Sequence, residues 1–375
     1  MYLAPLTSLR FFAAALVFAS HLAFLHKSDS NALGVFYAHV LSRGFIGVTF
    51  FFILSGFILS HSYGADGGAR TADWRGFMAG RVARIYPLHL LTLLFAVPMT
   101  VWNHHDRALL PLLPEAVANA ALLHAFIPLG QGILNSPAWS LSAEMFFYAM
   151  FPLLLRQRSR VLLGLFVLTA VFQWGAVRLG QKDPLAQYLV YVFPCSRIGD
   201  FIVGMLLYRV YTRFPVVPAR LATGLQVGAV ALLVLFFANK WGRFSISHLD
   251  IYYVTPLAAI VLAFAWSNGA LAQKLSGRTM VFLGQSSFAL YMLHFPLIYY
   301  GQTVRIHVID APGAAADMVF SIVYFALCVA LSGLLFVFYE GPMQKRVLLW
   351  LRRRPAPQPA TTRSPERQTS PAALS

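Results

Sequence analysis

The chain has 375 residues, 58% of them hydrophobic and only 11% charged, with 29 Lys and Arg against 13 Asp and Glu. Soluble domains carry roughly a quarter charged residues, so this composition and a mean hydropathy of +0.66 exclude that class and define a polytopic membrane protein. The net charge of +16 comes largely from short loops and a basic stretch after the last apolar run. There it sets topology and attracts anionic lipid, and it gives no ground for a nucleic-acid partner.

The first apolar run, Tyr2 to Leu25, is long enough to cross a bilayer and carries Arg10 and His21. It lacks a small-residue cleavage site after Leu25 and reads as a retained anchor, not a signal peptide. Runs of roughly twenty apolar residues follow, so that spans are expected at 6–26, 44–62, 86–103, 138–155, 160–178, 189–211, 221–238, 251–268, 282–300 and 318–340. The stretch from Pro111 to Leu129 is a rival eleventh, but Glu115, Asn119 and His124 between prolines suit an interfacial or re-entrant helix better.

Basic residues decide between ten and eleven, because positive loops stay on the cytoplasmic side. Ten spans with the N-terminus inside place 19 Lys and Arg on the inner side and 8 on the outer, with Arg10 and Arg197 within spans. An eleventh span would move Arg156, Arg158 and Arg160 outside. The expected fold is therefore all-α, a bundle of about ten transmembrane helices with both termini cytoplasmic. One membrane domain covers 1–345, and a basic, Pro/Ser/Thr-rich tail over 346–375 is too poor in apolar residues to fold. Cys195 and Cys328 fall in apolar runs as packing residues, which supports neither a disulfide framework nor a metal site.

Within such a bundle, ionisable side chains are costly enough to imply a site. Arg10 and His21 are eleven residues apart, about 20° short of superposition and about 16 Å of rise on an ideal helix. Counting from the outer span ends places His21, Glu144 and His294 all about 8–9 Å deep. A histidine beside a carboxylate supplies a base and its orienting partner, so His21 and Glu144 are the catalytic candidates. A satisfied interior histidine bridging helices is the plain alternative for His21. Ser287, Tyr291 and His294 form one polar stripe at i, i+4, i+7, which either touches substrate or ties helices together. Arg197 and Asp200, three residues apart, are expected to pair structurally.

At the opposite face, Arg81 and Arg84 point the same way from a helix that includes Tyr86, at the depth of Arg10. Guanidinium groups gathered there suit phosphate oxygens. The ordinary positive-inside flank explains basic loops but not an intramembrane Arg10. A phosphate grip inside and a base outside, about 16 Å apart along the first helix, match the reach of a pantetheine arm.

These residues resemble the acyltransferase family 3 membrane proteins, bacterial O-acyltransferases of surface polysaccharides and some small molecules. The likeness covers about residues 5–345. It rests on Leu9-Arg10 with His21, Gly47 to Phe57, Arg81-x-x-Arg84-Ile85-Tyr86-Pro87 and Trp139-Ser140-Leu141-Ser142-Ala143-Glu144, and more weakly on Ser287-x-x-x-Tyr291-x-x-His294 and Glu340-Gly341-Pro342. The resemblance implies His21 as the essential histidine, Glu144 as its partner, and Arg10, Arg81, Arg84 and Tyr86 as contacts to acyl-CoA, the donor substrate, with no bound cofactor or metal. Ser287, Tyr291, His294, Trp139, Arg197 and Asp200 are expected as substrate or structural support. The implied acceptor is a polysaccharide or lipid-linked saccharide at the outer face of a bacterial inner membrane. Family members often carry a further soluble domain, and here the membrane domain is expected to complete transfer itself or hand the acyl group to another protein. Two alternatives stand beside this reading: a proton-coupled secondary transporter using His21, Glu144 and His294, and acylation of a small hydroxyl compound such as a macrolide.

Overall fold

The computed structural model describes residues 3–64, 73–105, 108–128, 134–178, 180, 183–238, 250–309 and 313–352. Arg70, Arg107, Lys182, Lys240, Arg243 and the tail from 353 onward, with Arg353, Arg354, Arg363 and Arg367, lie outside these residues.

The described residues form sixteen α-helices joined by turns and short 3₁₀ or π segments. In chain order they are α1 (Ala4–Ser20), α2 (Asn31–His39), α3 (Ile46–Tyr63), α4 (Trp74–Asn103), α5 (Leu113–Ala120), α6 (Trp139–Leu155), α7 (Ser159–Val177) and α8 (Pro184–Tyr191). Then follow α9 (Pro194–Arg213), α10 (Ala219–Ala238), α11 (Asp250–Ala265), α12 (Ala270–Leu275), α13 (Arg278–Gln285), α14 (Ser287–Val304), α15 (Ala314–Leu335) and α16 (Gly341–Arg352). Each of the ten expected runs holds a helix. Among the described residues, seven helical stretches are long and apolar enough to cross a membrane, and an eighth counts if α13 and α14, bent by 55° at their break, form one span. Ala4–Ser20 and Ile251–Ala265 are shorter apolar helices.

Helix α3 is the hub, buried along most of its length between α1, α9 and α11. Its approach to α9 rests on Gly56 and Gly204. A Cβ added at Gly204 would lie 1.9 Å from the Ile53 carbonyl, and one at Gly56 would lie 2.0 Å from that of Phe201. Small residues at such crossings let backbones touch where no hydrophobic gain separates helix from lipid contact. By contrast α7 and α10 turn Leu163, Leu168, Val171, Val227, Val234 and Leu235 outward, apolar surface suited to acyl chains.

Several boundaries depart from the apolar runs. Helix α4 begins twelve residues before the run at 86, capped by Asp73, whose side chain accepts from Gly76 N at 2.9 Å. Arg81 and Arg84 therefore stand on the helix proper and not in a loop. The 111–129 stretch breaks into α5, Leu122 at φ 56° and a 3₁₀ turn over His124–Phe126, none long enough to span. Helix α15 continues through a π-helical turn, Phe336–Glu340, into α16. Residues 346–352, assigned from composition to the tail, are thus helical and belong to α16, which packs against α4.

Candidate active site

The first helix ends one residue before His21, which caps it, so His21 sits at the helix end and not within an unbroken span. Its Nδ1 lies 2.9 Å from the Val17 carbonyl, 3.4 Å from Ser20 Oγ and 3.2 Å from Nε2 of His294. Tyr37 donates to the Ser20 carbonyl at 2.7 Å and ties α2 to this end of α1. The His21 ring stands edge-on to those of His294 and Phe295, at centroid distances of 4.7 and 5.6 Å. A carbonyl oxygen only accepts, so the Val17 contact assigns the proton of neutral His21 to Nδ1. That leaves the lone pair on Nε2, which no hydrogen bond engages among the described residues.

On the other side of Tyr291 lies a cavity of about 290 Å³. Arg10 from α1, Arg81 and Arg84 from α4, and Glu144 and Tyr148 from α6 all face it. Ser55 Oγ donates to Glu144 Oε1 at 3.0 Å, and the Tyr148 hydroxyl donates to the same oxygen. The Arg81 guanidinium lies 5.7 Å from the ring centres of both Phe77 and Tyr148, with Nε buried and without a hydrogen-bond partner. Among the described residues Arg10, Arg81 and Arg84 make no hydrogen bond or close ion pair, although the charges of Glu144 and Glu340 act on Arg10. Three guanidinium groups facing a cavity with one carboxylate on its wall make a site for an anion of more than one charge.

The expected pairing of His21 with Glu144 is therefore replaced by two other partnerships: His21 contacts His294, and Glu144 contacts Ser55 and Tyr148. The reason is local. The capping turn carries His21 beyond the end of α1, whereas Glu144 lies in the second turn of α6 and faces α3 and α4. Tyr291 links the two regions. Its hydroxyl bonds Ser140 Oγ at 2.7 Å and the Pro137 carbonyl at 2.9 Å, and its backbone carbonyl accepts from His294 Nδ1 at 2.5 Å.

The remaining expected residues fall outside the cavity. Tyr86 donates to the Ala121 carbonyl at 3.2 Å and does not line the cavity, so its expected contact to a donor gives way to a brace on the α5 segment. Trp139 packs against Tyr191 and Phe52, with ring centroids 4.8 and 6.3 Å away. Ser287 bonds the Gly284 carbonyl at 2.7 Å, closing the α13–α14 bend. Arg197 pairs with Asp200 at 3.1 Å, donates to Thr49 Oγ1 at 2.9 Å and lies over Phe52 and Tyr191, a structural junction between α3 and α9.

Sequence reasoning missed Ser55, Ser140 and Tyr148, although the last two lie four residues either side of Glu144, one helical turn away. It also gave no role to Glu340, buried in the π-helical turn, whose charge acts on Arg84 and Arg10. On the turn after α5, burial and then the neighbouring His89 push the His124 imidazole down to about 4, so it stays neutral. No group of three or more His, Cys, Asp or Glu among the described residues is placed to hold a metal ion.

The fold is that of a helical membrane protein with an arginine-lined cavity beside a histidine pair, and comparison with known proteins gives its class. The acyltransferase-domain family matches residues 5–337, and the chain belongs to it. It is 30% identical to the acyltransferase MdmB of Streptomyces mycarofaciens, over 97% of each chain. It is 25% identical to the putative peptidoglycan O-acetyltransferase YrhL of Bacillus subtilis, over 81% of this chain and 50% of that one. It is 22% identical to the O-acetyltransferase OatA of Staphylococcus aureus, over 82% and 54%. The chain thus spans about half the length of the latter two proteins. No solved structure matches it. It is a multi-pass membrane acyltransferase, acting between an acyl donor and an acceptor in a lipid environment.

Proposed function

We propose that the protein moves an acyl group, acetyl in the first instance, from acyl-CoA on the cytoplasmic side to a sugar hydroxyl presented at the outer face of a bacterial inner membrane. The observation that carries this reading is the convergence of Arg10, Arg81 and Arg84, from two helices, on one cavity without ion-pair partners of their own. Arginine matches phosphate oxygens through several fixed donors, and the donor's phosphates supply the charge those groups lack. Arg10 and His21 belong to one helix and its cap, with about 16 Å of rise between them. The pantetheine arm covers that distance, so phosphates held at the arginines present the thioester toward His21.

In the transfer step, His21 Nε2 takes the acceptor hydroxyl proton as the oxygen bonds to the thioester carbonyl carbon. The carbon–sulfur bond then breaks with its electron pair on sulfur, and the thiolate recovers the proton from the imidazolium. Glu144, held by Ser55 and Tyr148, offsets part of the arginine charge. The alternative acceptor is a small hydroxyl compound, and a glycan comparison decides between the two. Native membrane vesicles given radioactive acetyl-CoA test transfer itself. Label is expected in the glycan fraction and absent with His21→Ala; label in a small-molecule extract alone would transfer the reading to that class. Uptake driven by pH without release of CoA would replace it with transport.

A further inference from the structure

We propose that His294 is the positioning residue of the reaction: it accepts a hydrogen bond from His21 Nδ1 and thereby holds the reactive nitrogen of His21 at Nε2. This rests on the reading of His21 as the base. The proton placements follow from two carbonyls. Tyr291 O lies 2.5 Å from His294 Nδ1, and a carbonyl cannot donate, so His294 carries its proton on Nδ1 and offers a bare lone pair at Nε2. That lone pair faces His21 Nδ1 at 3.2 Å, while Val17 O faces the same nitrogen at 2.9 Å. The His21 Nδ1 proton is shared between two acceptors, and the other tautomer would turn a lone pair toward both.

His294 thus takes the place that a carboxylate holds in a hydrolase triad, with one chemical difference. A neutral imidazole orients the base and accepts from the imidazolium, but it adds no negative charge to a site inside the membrane. Its own geometry is fixed: the side chain is fully buried, its Nδ1 is tied to its own helix, and the Tyr291 ring packs against it at 5.6 Å. Through Tyr291, which lines the arginine cavity and bonds Ser140, the position of His294 also depends on the wall of the donor pocket.

The test uses the full-length protein in nanodiscs, labelled with ¹⁵N-histidine, and solid-state NMR to read which ring nitrogen of His21 carries hydrogen, with His21→Gln to assign the signal. Wild type is expected to show protonated Nδ1 and bare Nε2. His294→Ala leaves the Val17 carbonyl as an acceptor facing Nδ1, and it is expected to raise the Nε2-protonated share of His21 and lower acetyl transfer from acetyl-CoA in vesicles by roughly 10²-fold. His294→Gln, whose amide oxygen reaches the position of Nε2, is expected to restore the single tautomer and most of the rate. A wild-type His21 protonated at Nε2 overturns the proposal, as does an unchanged tautomer in His294→Ala with transfer within threefold of wild type. So does equal loss of transfer in both His294 variants with the tautomer unchanged. If wild-type vesicles transfer no acetyl group, the enzymatic reading fails while the NMR result still decides the pairing.

Discussion

The two polar centres on either side of Tyr291 are built on opposite principles. At the end of α1, two imidazoles are held by carbonyls and by each other, with no formal charge and a single nitrogen lone pair left over. In the cavity, three arginines face Glu144 and each other without direct pairing. A third arrangement, Arg197 with Asp200, Thr49 and two aromatic rings, shows what a purely structural arginine looks like in the same bundle. The structural arginine is paired within the protein, and the three cavity arginines are not. On the proposed function that contrast separates binding from chemistry in space and makes the two separately breakable.

The sharpest break is His21→Ala. It is expected to lower transfer by at least about 10³-fold while membrane insertion and CoA binding remain; residual transfer above a tenth of wild type would remove the histidine from the chemistry. Next comes Arg197→Leu, which removes the cation beside buried Asp200. A loss of about 3–5 kcal/mol is expected for such a residue, read as a lower thermal midpoint or failed insertion, and rescue by also changing Asp200→Leu would mark the pair as structural. Arg84→Gln and Arg10→Gln are expected to raise KM for acetyl-CoA by roughly tenfold or more, as for loss of one charge-assisted hydrogen bond, with kcat affected less. A fall in kcat at constant KM would move these arginines from the grip to the chemistry.

The smallest effect lies outside both centres. His124 has its folded-state pKa depressed from 6.5 to about 4, so the unfolded chain binds the extra proton first. Its contribution to stability is complete above pH about 6.5 and is lost as pH falls toward 4. In detergent, thermal midpoints of wild type are expected to drop over that window. The slope should lessen in His124→Asn, and equal slopes in the two proteins would contradict the assignment.

Much of this architecture is legible in the sequence, because the bilayer turns apolar length directly into helices. A helix in each of the ten runs, the gathering of Arg10 with Arg81 and Arg84, and the Arg197–Asp200 pair follow from run lengths and helical spacing, whereas among the described residues seven stretches, or eight with the bent pair, are long and apolar enough to span. The partner of His21 does not. Depth counted from span ends placed His21, Glu144 and His294 in one slab, but it carries no information about which way a side chain turns on a helix that is apolar all round. The start of α4 at Trp74 escaped because its first turns are basic and polar. The extension of α16 through Arg352 escaped because Lys345, Arg346 and Arg352 lowered its hydropathy. Ser55 and Tyr148 were hidden for a third reason: hydroxyls within apolar helices are common, and only their convergence on Glu144 distinguishes them.

The separation of grip and base is tested most directly by equilibrium binding of CoA to the purified protein in nanodiscs, by calorimetry on three forms. Wild type and His21→Ala are expected to bind CoA within twofold of each other, while Arg84→Gln binds at least about tenfold more weakly. Loss of CoA binding in His21→Ala, or undiminished binding in Arg84→Gln, would contradict the division of the molecule into an arginine-lined grip and an imidazole pair that does the chemistry.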